Sequence, residues 1–589
     1  MKGFFKYLLA TIVGLLVTMI LLFLIFMGII GTAISKSEKA VEVKENSLLV
    51  MKFNNTIEDR GSKNPFQGFD YLSMKPTTSL GLNDILKAVK NATEDPNILG
   101  IYLENENIPA GLATIEEIRN ALIKFKESGK FIVSYSNNYG HKNYYLSSVS
   151  NSIYINPQGS MQWTGLSSSV MFFKNALEKL GVEMQIIRHG KFKSAVEPFM
   201  LDKMSPENRE QIATYVGSIW NHWLKEISVA RNISVDELNL MANNLKIRNA
   251  QSAYENGMVD SLVYKDQVID RLKELTNTKP EKDINSVSID QYIKVPAPRK
   301  HKGLAKDKIA VVYALGSIID GDSGESDIAG DRYGRIIREA RRDSSIKAIV
   351  LRVNSGGGSA LASEIILREM TLAKAVKPVI VSMGDVAASG GYYIAASADA
   401  IVANPTTITG SIGVLGMIPN VKEGMNKKLG INIDVVNTNK YADILSVYRP
   451  MTAEEKAYML QGIEDIYSVF IGHVANGRGM TTQQVDDIGQ GRVWSGINAM
   501  QIKLIDEFGG LERAIELAAE KAGLENYRIT ELPKQKDPFE IIMECFSGSV
   551  KAQLFKDELG MSYKYYDYLL KLAGTRGIIA RMPYEIEVY

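Results

Sequence analysis

The second half of this 589-residue chain repeats the first half. Residues 131–135 match residues 379–383 at an offset of 248, and the Tyr-Tyr and Asn-Pro pairs that follow keep the same offset without a gap. A sequence that repeats itself in register is expected to build the same structural unit twice. The pattern therefore predicts two tandem copies of one fold, at residues 46–280 and 305–530, joined by a linker at 281–304.

Within each copy, short apolar runs alternate with helical patterns. In the second copy we predict buried strands and amphipathic helices, the strands at 309–313, 348–353, 379–382 and 400–402 and the helices at 360–375 and 453–476. Such alternation is typical of an α/β layered domain with a largely parallel sheet. The predicted fold class is therefore α/β with two related domains, followed by a C-terminal extension at 531–589 to which the sequence assigns no role.

A long uncharged segment precedes the first copy. No charged residue lies between Lys6 and Lys36, and residues 7–35 are almost wholly apolar. Because about 20 apolar residues cross a bilayer, we expect a single transmembrane anchor here. A cleavable signal peptide is the alternative, but its apolar core would be only about 7–15 residues long. With the anchor retained, residues 1–6 would be cytoplasmic and the body of the protein extracytoplasmic.

Composition excludes several kinds of site. Lys and Arg number 68 against 67 Asp and Glu, so the net charge of +1 gives no reason to expect a nucleic-acid partner. The single cysteine, Cys545, excludes an intramolecular disulfide and any zinc site with two thiolates from one chain. There are only five histidines, and none lies in a His-Glu-x-x-His motif. We therefore expect no metal site and no cofactor, and histidine-based catalysis has few candidates.

Two loops of the second copy have the composition of a reactive site. An apolar strand runs into residues 354–359, where Gly357 and Gly358 let the backbone approach a ligand and expose N–H groups to it. The next strand leads to Ser389, which lies between small residues and precedes Gly390. Each loop also has a purely structural explanation, as a tight turn after a strand or as a helix cap. From these residues alone both explanations stay open.

The first copy lacks both of these features. Its counterpart of Ser389 is His141, and its counterpart of the glycine loop is the segment 105–109. The first copy instead carries Lys193, whose counterpart in the second copy is Ala442. Each copy thus lacks what the other carries, and this predicts one composite site built from both.

In these motifs the chain resembles the signal peptide peptidases of peptidase family S49, in their long, duplicated, membrane-anchored bacterial type. The resemblance rests on Lys193 in Lys-Ser-Ala-Val-Glu-Pro-Phe, on Ser389 in Ala-Ala-Ser-Gly-Gly-Tyr, and on the Arg-Val-Asn-Ser loop that begins at Arg352. It covers essentially the whole chain, and each motif stands in the expected copy. One position departs from the family pattern, since Gly356 stands where the family usually has proline.

The resemblance implies a ClpP/crotonase-like fold in each copy and a homo-oligomer, a tetramer for the long type. It also implies peptide substrates, namely signal peptides that remain in the membrane after preprotein cleavage. The expected location is then the bacterial inner membrane, with a single-pass anchor and a periplasmic catalytic body.

The resemblance further implies a serine–lysine dyad, with Ser389 as the nucleophile and Lys193 as the general base. A serine hydroxyl needs a base, and a lysine can serve once burial lowers its pKa from about 10.4. Ser411 matches a family serine that orients the lysine, although it could also be an ordinary turn serine. The N–H groups implied for the oxyanion come from the two glycine-containing loops, at Gly357, Gly358, Gly390 and Ser389 itself.

Three other functions compete with this hypothesis. A Ser-His-Asp hydrolase would favour a Gly-x-Ser-x-Gly elbow, which the sequence around Ser389 does not match. A crotonase-like acyl-CoA enzyme would share the fold, but it would not need Lys193 and would lack coenzyme A outside the cytoplasm. A non-catalytic membrane scaffold would be expected if Ser389 or Lys193 were missing. The presence of both residues favours the peptidase.

Overall fold

The computed structural model describes residues 41–62, 69–70, 75–76, 80–296, 305–322, 327–536 and 578–581, with scattered helical residues between 3 and 21. Most of the predicted anchor at 7–35, and most of the extension at 531–589, lie outside the described residues. Among the helices that the structure describes, none is long and apolar enough to cross a membrane.

The strands are numbered β1 to β22 in chain order, at Ser47–Met51, Phe69–Asp70, Lys75–Pro76, Ile98–Glu104, Phe131–Tyr139, Ser152–Met161, Glu183–Arg188, Ser261–Leu262, Ser286–Ser288, Lys308–Leu315, Ile318–Ile319, Ile328–Ala329, Ile346–Ser355, Gly357–Ser359, Val379–Ala388, Ala400–Ala403, Ile408–Gly410, Leu415–Asn420, Val493–Ser495, Glu507–Phe508, Arg528–Leu532 and Ile578–Arg581.

From residue 41 onward the α-helices are numbered α1 to α17, at Leu82–Glu94, Leu112–Glu127, His141–Ser147, Lys174–Leu180, Glu197–Met200, Pro206–Arg231, Val235–Asn243, Ala250–Glu255, Lys265–Leu275, Ile289–Tyr292, Gly330–Arg342, Ala360–Lys374, Gly390–Ala395, Ala453–Arg478, Thr482–Ile488, Gly496–Gln501 and Leu511–Ala522. A 3₁₀ turn covers Ser194–Val196, and a π-helical turn covers Gly424–Lys428.

Each copy folds around its own sheet. The first sheet has the order β8-β6-β5-β4-β1-β9, and all of its pairings are parallel. The second has the order β19-β17-β15-β13-β10-β21, with β16 beside β15, and only the pairing of β19 with β17 is antiparallel. Central strands such as β13 are buried along nearly their whole length, as expected of parallel strands covered on both faces. The predicted α/β class and largely parallel sheets are confirmed.

Two pairs of helices at matching places in the two copies have the same lengths. Helices α6 and α14 each have 26 residues, begin at a side-chain cap, and end at a left-handed C-cap residue, Asn232 in the first copy and Gly479 in the second. Helices α1 and α11 each have 13 residues. The internal repeat read from the sequence is therefore a repeat of structure.

The sheets extend beyond the boundaries predicted for the copies. Strand β9 pairs with β1 inside the segment 281–304 that was predicted as a linker, and α10 follows it directly. The first copy therefore continues to Tyr292. At the other end, β21 completes the second sheet and carries that copy to Leu532. These differences arise because a short strand of three to five residues leaves little periodic signal in a sequence.

A third sheet joins the two copies, in the order β12-β11-β14-β22-β18-β7. Strand β7 belongs to the first copy and runs antiparallel to β18 of the second, from Glu183 opposite Asn420 to Arg188 opposite Leu415. The loop after β7 contains Lys193, so this pairing carries the lysine of the first copy onto the second copy.

Candidate active site

Ser389 occupies a strained position between β15 and α13. Its backbone has φ 54° and ψ −115°, a region that residues other than glycine rarely adopt and that is concentrated at functional sites. The Ser389 N–H donates to the Gly410 carbonyl at 2.8 Å. The side chain makes no capping hydrogen bond to α13, so the helix-cap explanation of this serine does not hold.

Lys193 reaches Ser389 from the other copy. Its Nζ lies 2.8 Å from Ser389 Oγ, 3.0 Å from Ser411 Oγ and 3.1 Å from the Ser411 carbonyl oxygen. All three residues are fully buried. Burial lowers the pKa of Lys193 well below its usual value, because removal from water penalises the charged amine. The structure thus brings together three residues predicted from the sequence, Lys193, Ser389 and Ser411. Lys193 and Ser389 are 196 positions apart in the chain.

Neighbouring loops hold the lysine in place. Arg188 donates from its guanidinium to the Lys193 carbonyl at 3.1 Å, and the Phe192 N–H donates to the Gln490 carbonyl at 3.1 Å. Gly491 packs directly on the lysine backbone, since a Cβ at that position would lie 2.6 Å from Lys193 Cα. Only glycine fits this close approach, and the backbone of Gly491 also has φ +83°, which favours glycine.

A buried carboxylate anchors the segment that follows the lysine. Glu197 is fully buried and accepts hydrogen bonds from the Ser205 hydroxyl at 2.6 Å and the Asn208 amide at 2.9 Å. Arg188 lies 3.7 Å from the same carboxylate. Neither Glu197 nor Gly491 was singled out in the sequence, although Glu197 lies in the quoted lysine motif, where a carboxylate among apolar residues was the available signal.

The hydrogen bonds also separate the candidate oxyanion donors. Gly357 N–H already donates to Ser355 Oγ at 3.1 Å, and Ser389 N–H is used by Gly410. Gly390 is the first residue of α13, so its N–H has no acceptor within the helix. Gly358 lies in β14 against β11, where a Cβ would stand 1.9 Å from the Ile318 carbonyl oxygen. Gly390 is therefore a donor without a helical acceptor, and Gly358, in β14 between β11 and β22, stays a candidate donor predicted from the sequence.

The equivalent place in the first copy is structural. His141 is buried, its Nε2 accepts the Thr164 N–H at 3.1 Å, and its ring contacts Trp163 and Trp220. Burial lowers the pKa of His141 to about 4, so the ring is neutral near pH 7. Within the described part of the chain, no three His, Cys, Asp or Glu side chains are grouped so as to hold a metal ion.

Comparison with known proteins identifies the family. Residues 124–279 and 371–525, one segment in each copy, both match the model of peptidase family S49. The chain belongs to peptidase family S49. It is 35% identical to "Protease 4" of Salmonella typhi over 94% of this chain and 91% of that protein. It is 32% identical to "Serine protease SPPA, chloroplastic" of Arabidopsis thaliana over 92% of this chain and 78% of that protein.

Family membership and these relatives make the chain a serine-type peptidase with a duplicated S49 domain. Among solved structures, a ClpP1 mutant from Listeria monocytogenes is 14% identical and covers 35% of this chain and 94% of that one. The TM-score of that match is 0.24, too low to carry an inference about this S49 chain.

Proposed function

We propose that this S49 chain is an endopeptidase that cleaves peptides with a Ser389–Lys193 dyad. The observation that carries the proposal is the 2.8 Å separation of Lys193 Nζ and Ser389 Oγ at a site where both side chains are fully buried. A neutral amine has a lone pair that can accept the serine proton, and burial favours the neutral form of this amine by lowering its pKa.

In the first half of the reaction, Ser389 Oγ attacks the carbonyl carbon of the peptide bond and its proton passes to Lys193 Nζ. The Gly358 and Gly390 N–H groups stabilise the negative oxygen, and losing one such donor typically costs about 3 kcal/mol of transition-state stabilisation. The peptide C–N bond then breaks, and Lys193 returns the proton to the leaving amine. In the second half a water attacks the acyl-enzyme with Lys193 again as the base, and Ser389 is released.

Ser411 orients the amine in this mechanism. Its hydroxyl and its carbonyl are both within 3.1 Å of Lys193 Nζ. A neutral amine has two hydrogens and one lone pair, so donating both hydrogens to Ser411 directs the lone pair at Ser389.

We further propose that the substrates are apolar peptides, signal peptides released from preproteins among them. The support is the resemblance of the motifs and the predicted anchor at 7–35, which would place the site beside the bilayer of a bacterial inner membrane, with the catalytic body in the periplasm. The same resemblance supports a ClpP/crotonase-like fold in each copy and a homotetramer, in which subunit packing would exclude folded proteins.

The dyad is tested in the purified full-length chain with a fluorogenic apolar peptide. Ser389→Ala and Lys193→Ala should each lower kcat by about 10³-fold or more, as removal of a nucleophile or its base does. Lys191→Ala is the matched control, because Lys191 is exposed and only two positions away. Sedimentation should give the same oligomeric state for all variants. Near-normal rates for Lys193→Ala at neutral pH would overturn the dyad.

The substrate class is tested with the full-length chain in lipid vesicles. A synthetic signal peptide is compared with a peptide of equal length and charge whose apolar core is replaced by Ser and Gly. The apolar peptide should be cleaved faster, since its core partitions into the bilayer that holds the enzyme. Equal rates would contradict a membrane-directed apolar specificity while leaving the dyad untouched.

A further inference from the structure

The C-terminal extension contributes one strand to the sheet beside the dyad. Strand β22, residues 578–581, lies between β14 and β18 and is antiparallel to both. On one side Ala580 stands opposite Gly358, and on the other Ile579 stands opposite Leu415. The extension had no assigned role in the sequence, so this position requires an explanation.

Strand β22 is the link between two parts of the third sheet. On its one side lie β14, β11 and β12, and on its other side lie β18 and β7. Neighbouring strands are about 4.8 Å apart, so taking β22 away would leave a slot roughly 10 Å wide that accepts one extended chain. Both edges of that slot would present unpaired N–H and C=O groups, the arrangement that binds peptides by strand addition.

The slot lies beside the groups that take part in the proposed reaction. Its β14 edge contains Gly358, one of the two candidate oxyanion donors, and its β18 edge begins two residues after Gly413, whose carbonyl oxygen lies 3.4 Å from Ser389 Oγ. A peptide must place its scissile carbonyl at Gly358 to use that donor. Ala580 is the residue that stands opposite Gly358 in the present register.

We propose that residues 578–581 are an internal pseudosubstrate, so that the chain's own C-terminal segment occupies the peptide-binding slot and competes with substrates. This inference rests on the proposed function, because the slot matters only if peptides are cleaved at Ser389. The segment reads Ile-Ile-Ala-Arg, whose β-branched residues favour an extended strand. Because the segment belongs to the same chain as the slot, its binding is intramolecular and does not depend on protein concentration.

The first test is a chain that ends at Gly577, assayed with a short apolar peptide beside the full-length chain. Competition raises the apparent KM and leaves kcat unchanged, so truncation should lower KM by about five-fold or more with kcat within about two-fold. A synthetic peptide of residues 575–589, added at about 1 mM, should raise the KM of the truncated enzyme again. Unchanged KM after truncation would overturn the proposal.

A point variant covers the case in which truncation disturbs folding. Ile579→Pro removes an N–H from a strand that is paired on both sides, and proline is excluded from such central strands. It should lower KM as truncation does. Val588→Pro makes the same chemical change outside β22 and should keep the KM of the unaltered chain. If Ile579→Pro also keeps that KM, the pseudosubstrate is excluded.

A binding measurement separates this proposal from the proposed function. The truncated chain with Ser389→Ala is titrated into a fluorescent peptide of residues 575–589, and anisotropy is recorded. Saturable binding that unlabelled apolar substrate displaces supports the slot, whether or not the dyad assignment survives. Absence of binding, with full peptidase activity in the unaltered chain, rejects the pseudosubstrate and leaves the proposed function standing.

Discussion

Lys193 owes its altered pKa to burial alone. Loss of water is the cause of the lowered pKa, and the hydrogen-bond partners of the amine are the hydroxyls of Ser389 and Ser411 and one carbonyl oxygen. Neutral oxygens of this kind satisfy the amine without attracting a proton to it, whereas a carboxylate would raise its pKa again. The lowered pKa of Lys193 is thus a consequence of the buried, uncharged surroundings of its amine.

The pH dependence of the reaction should follow this amine. A protonated lysine cannot accept the serine proton, so kcat/KM should rise with pH through the lowered pKa of Lys193 and then level off. Lys193→Arg should lose about 10³-fold in kcat at every pH, because a guanidinium stays charged. Stopped assays across acidic to alkaline pH measure both. A rise centred near the ordinary lysine value of about 10.4 would contradict a buried base.

Ser411 should act on the turnover rate and not on binding. Ser411→Ala removes one hydrogen-bond partner of Lys193 Nζ, and a neutral hydrogen bond is worth about 1 kcal/mol, or roughly a five-fold decrease in kcat. KM should stay the same. Ser363→Ala is the control, since Ser363 is also a buried serine whose hydroxyl donates to a backbone carbonyl, that of Ser359. Equal kcat for both variants would remove the orienting role of Ser411.

At the scale of elements, the lysine depends on a strand, a loop and a helix that are held together. Strand β7 pairs with β18 along its length, Glu197 holds the start of α6 through Ser205 and Asn208, and Gly491 packs on the lysine backbone. Each contact removes freedom from the loop before a substrate binds. A base that is positioned in advance needs little reorganisation during the reaction.

Glu197 is therefore a positioning residue whose loss should affect catalysis and stability together. Glu197→Ala leaves Ser205 and Asn208 without their acceptor, and breaking such a buried network costs about 2–4 kcal/mol. We expect kcat to fall at least about ten-fold with a smaller change in KM. Glu197→Gln keeps one acceptor oxygen and should recover part of the kcat. If the loss in Glu197→Ala came only from lower stability, kcat would not differ between the two variants under conditions in which both are fully folded.

Glu207→Ala is the control for that experiment. Glu207 lies in the first turn of the same helix, α6, but is not buried in the network. Urea unfolding and steady-state kinetics on the three variants give the comparison. The positioning role is excluded if Glu197→Ala keeps the kcat of Glu207→Ala while losing stability.

The glycine strand β14 should tolerate no side chain at Gly358. A Cβ there would stand 1.9 Å from the Ile318 carbonyl oxygen, so the strand would have to move away from β11. We expect Gly358→Ala to lower kcat by about 10²–10³-fold, the usual effect of losing one oxyanion donor. Gly472→Ala in α14 is the control, because its Cβ would meet no atom within 4 Å. Circular dichroism checks that both variants fold.

At the scale of the whole molecule, a buried ion cluster joins the two copies. Arg352 of β13 is fully buried and donates to Asp59 at 2.5 Å and to Glu117 at 2.8 Å, both in the first copy. Glu117 also accepts the Leu511 N–H at 2.9 Å. Burial raises the pKa of Glu117, and Arg352 opposes that rise. The arginine of the family loop thus ties the copies whose contact creates the site.

Removing this arginine should weaken the whole protein. Arg352→Met leaves two buried carboxylates without their cation, and breaking a buried pair from one side costs about 3–5 kcal/mol. Arg449→Met, which breaks a more exposed cluster with Asp443 and Glu455, should cost far less. Urea unfolding of the full chain measures both. Equal losses would show that burial adds nothing at Arg352.

Much of the fold can be predicted from the sequence, because the patterns that indicate strands and helices are local. Strands β13 and β15 are short apolar runs, helices α12 and α14 have amphipathic periodicity, and the repeat at offset 248 follows from comparing the chain with itself. The residues of the candidate site can also be predicted, because the two copies can be compared with each other. Ser389 and Lys193 each stand in a copy whose partner lacks that residue, so the duplication itself points to a shared centre.

By itself, then, the sequence determined the two copies, their α/β class and the residues that a composite site would use. Only the tertiary structure decided how close they come: the pairing of β7 with β18 and the packing of Gly491 bring Lys193 to within 2.8 Å of Ser389. It also decided that Gly357 and Ser389 have used their N–H groups, and that residues 578–581 fill the slot. The physical reason is that register and burial arise from contacts between residues hundreds of positions apart, which local propensity does not encode.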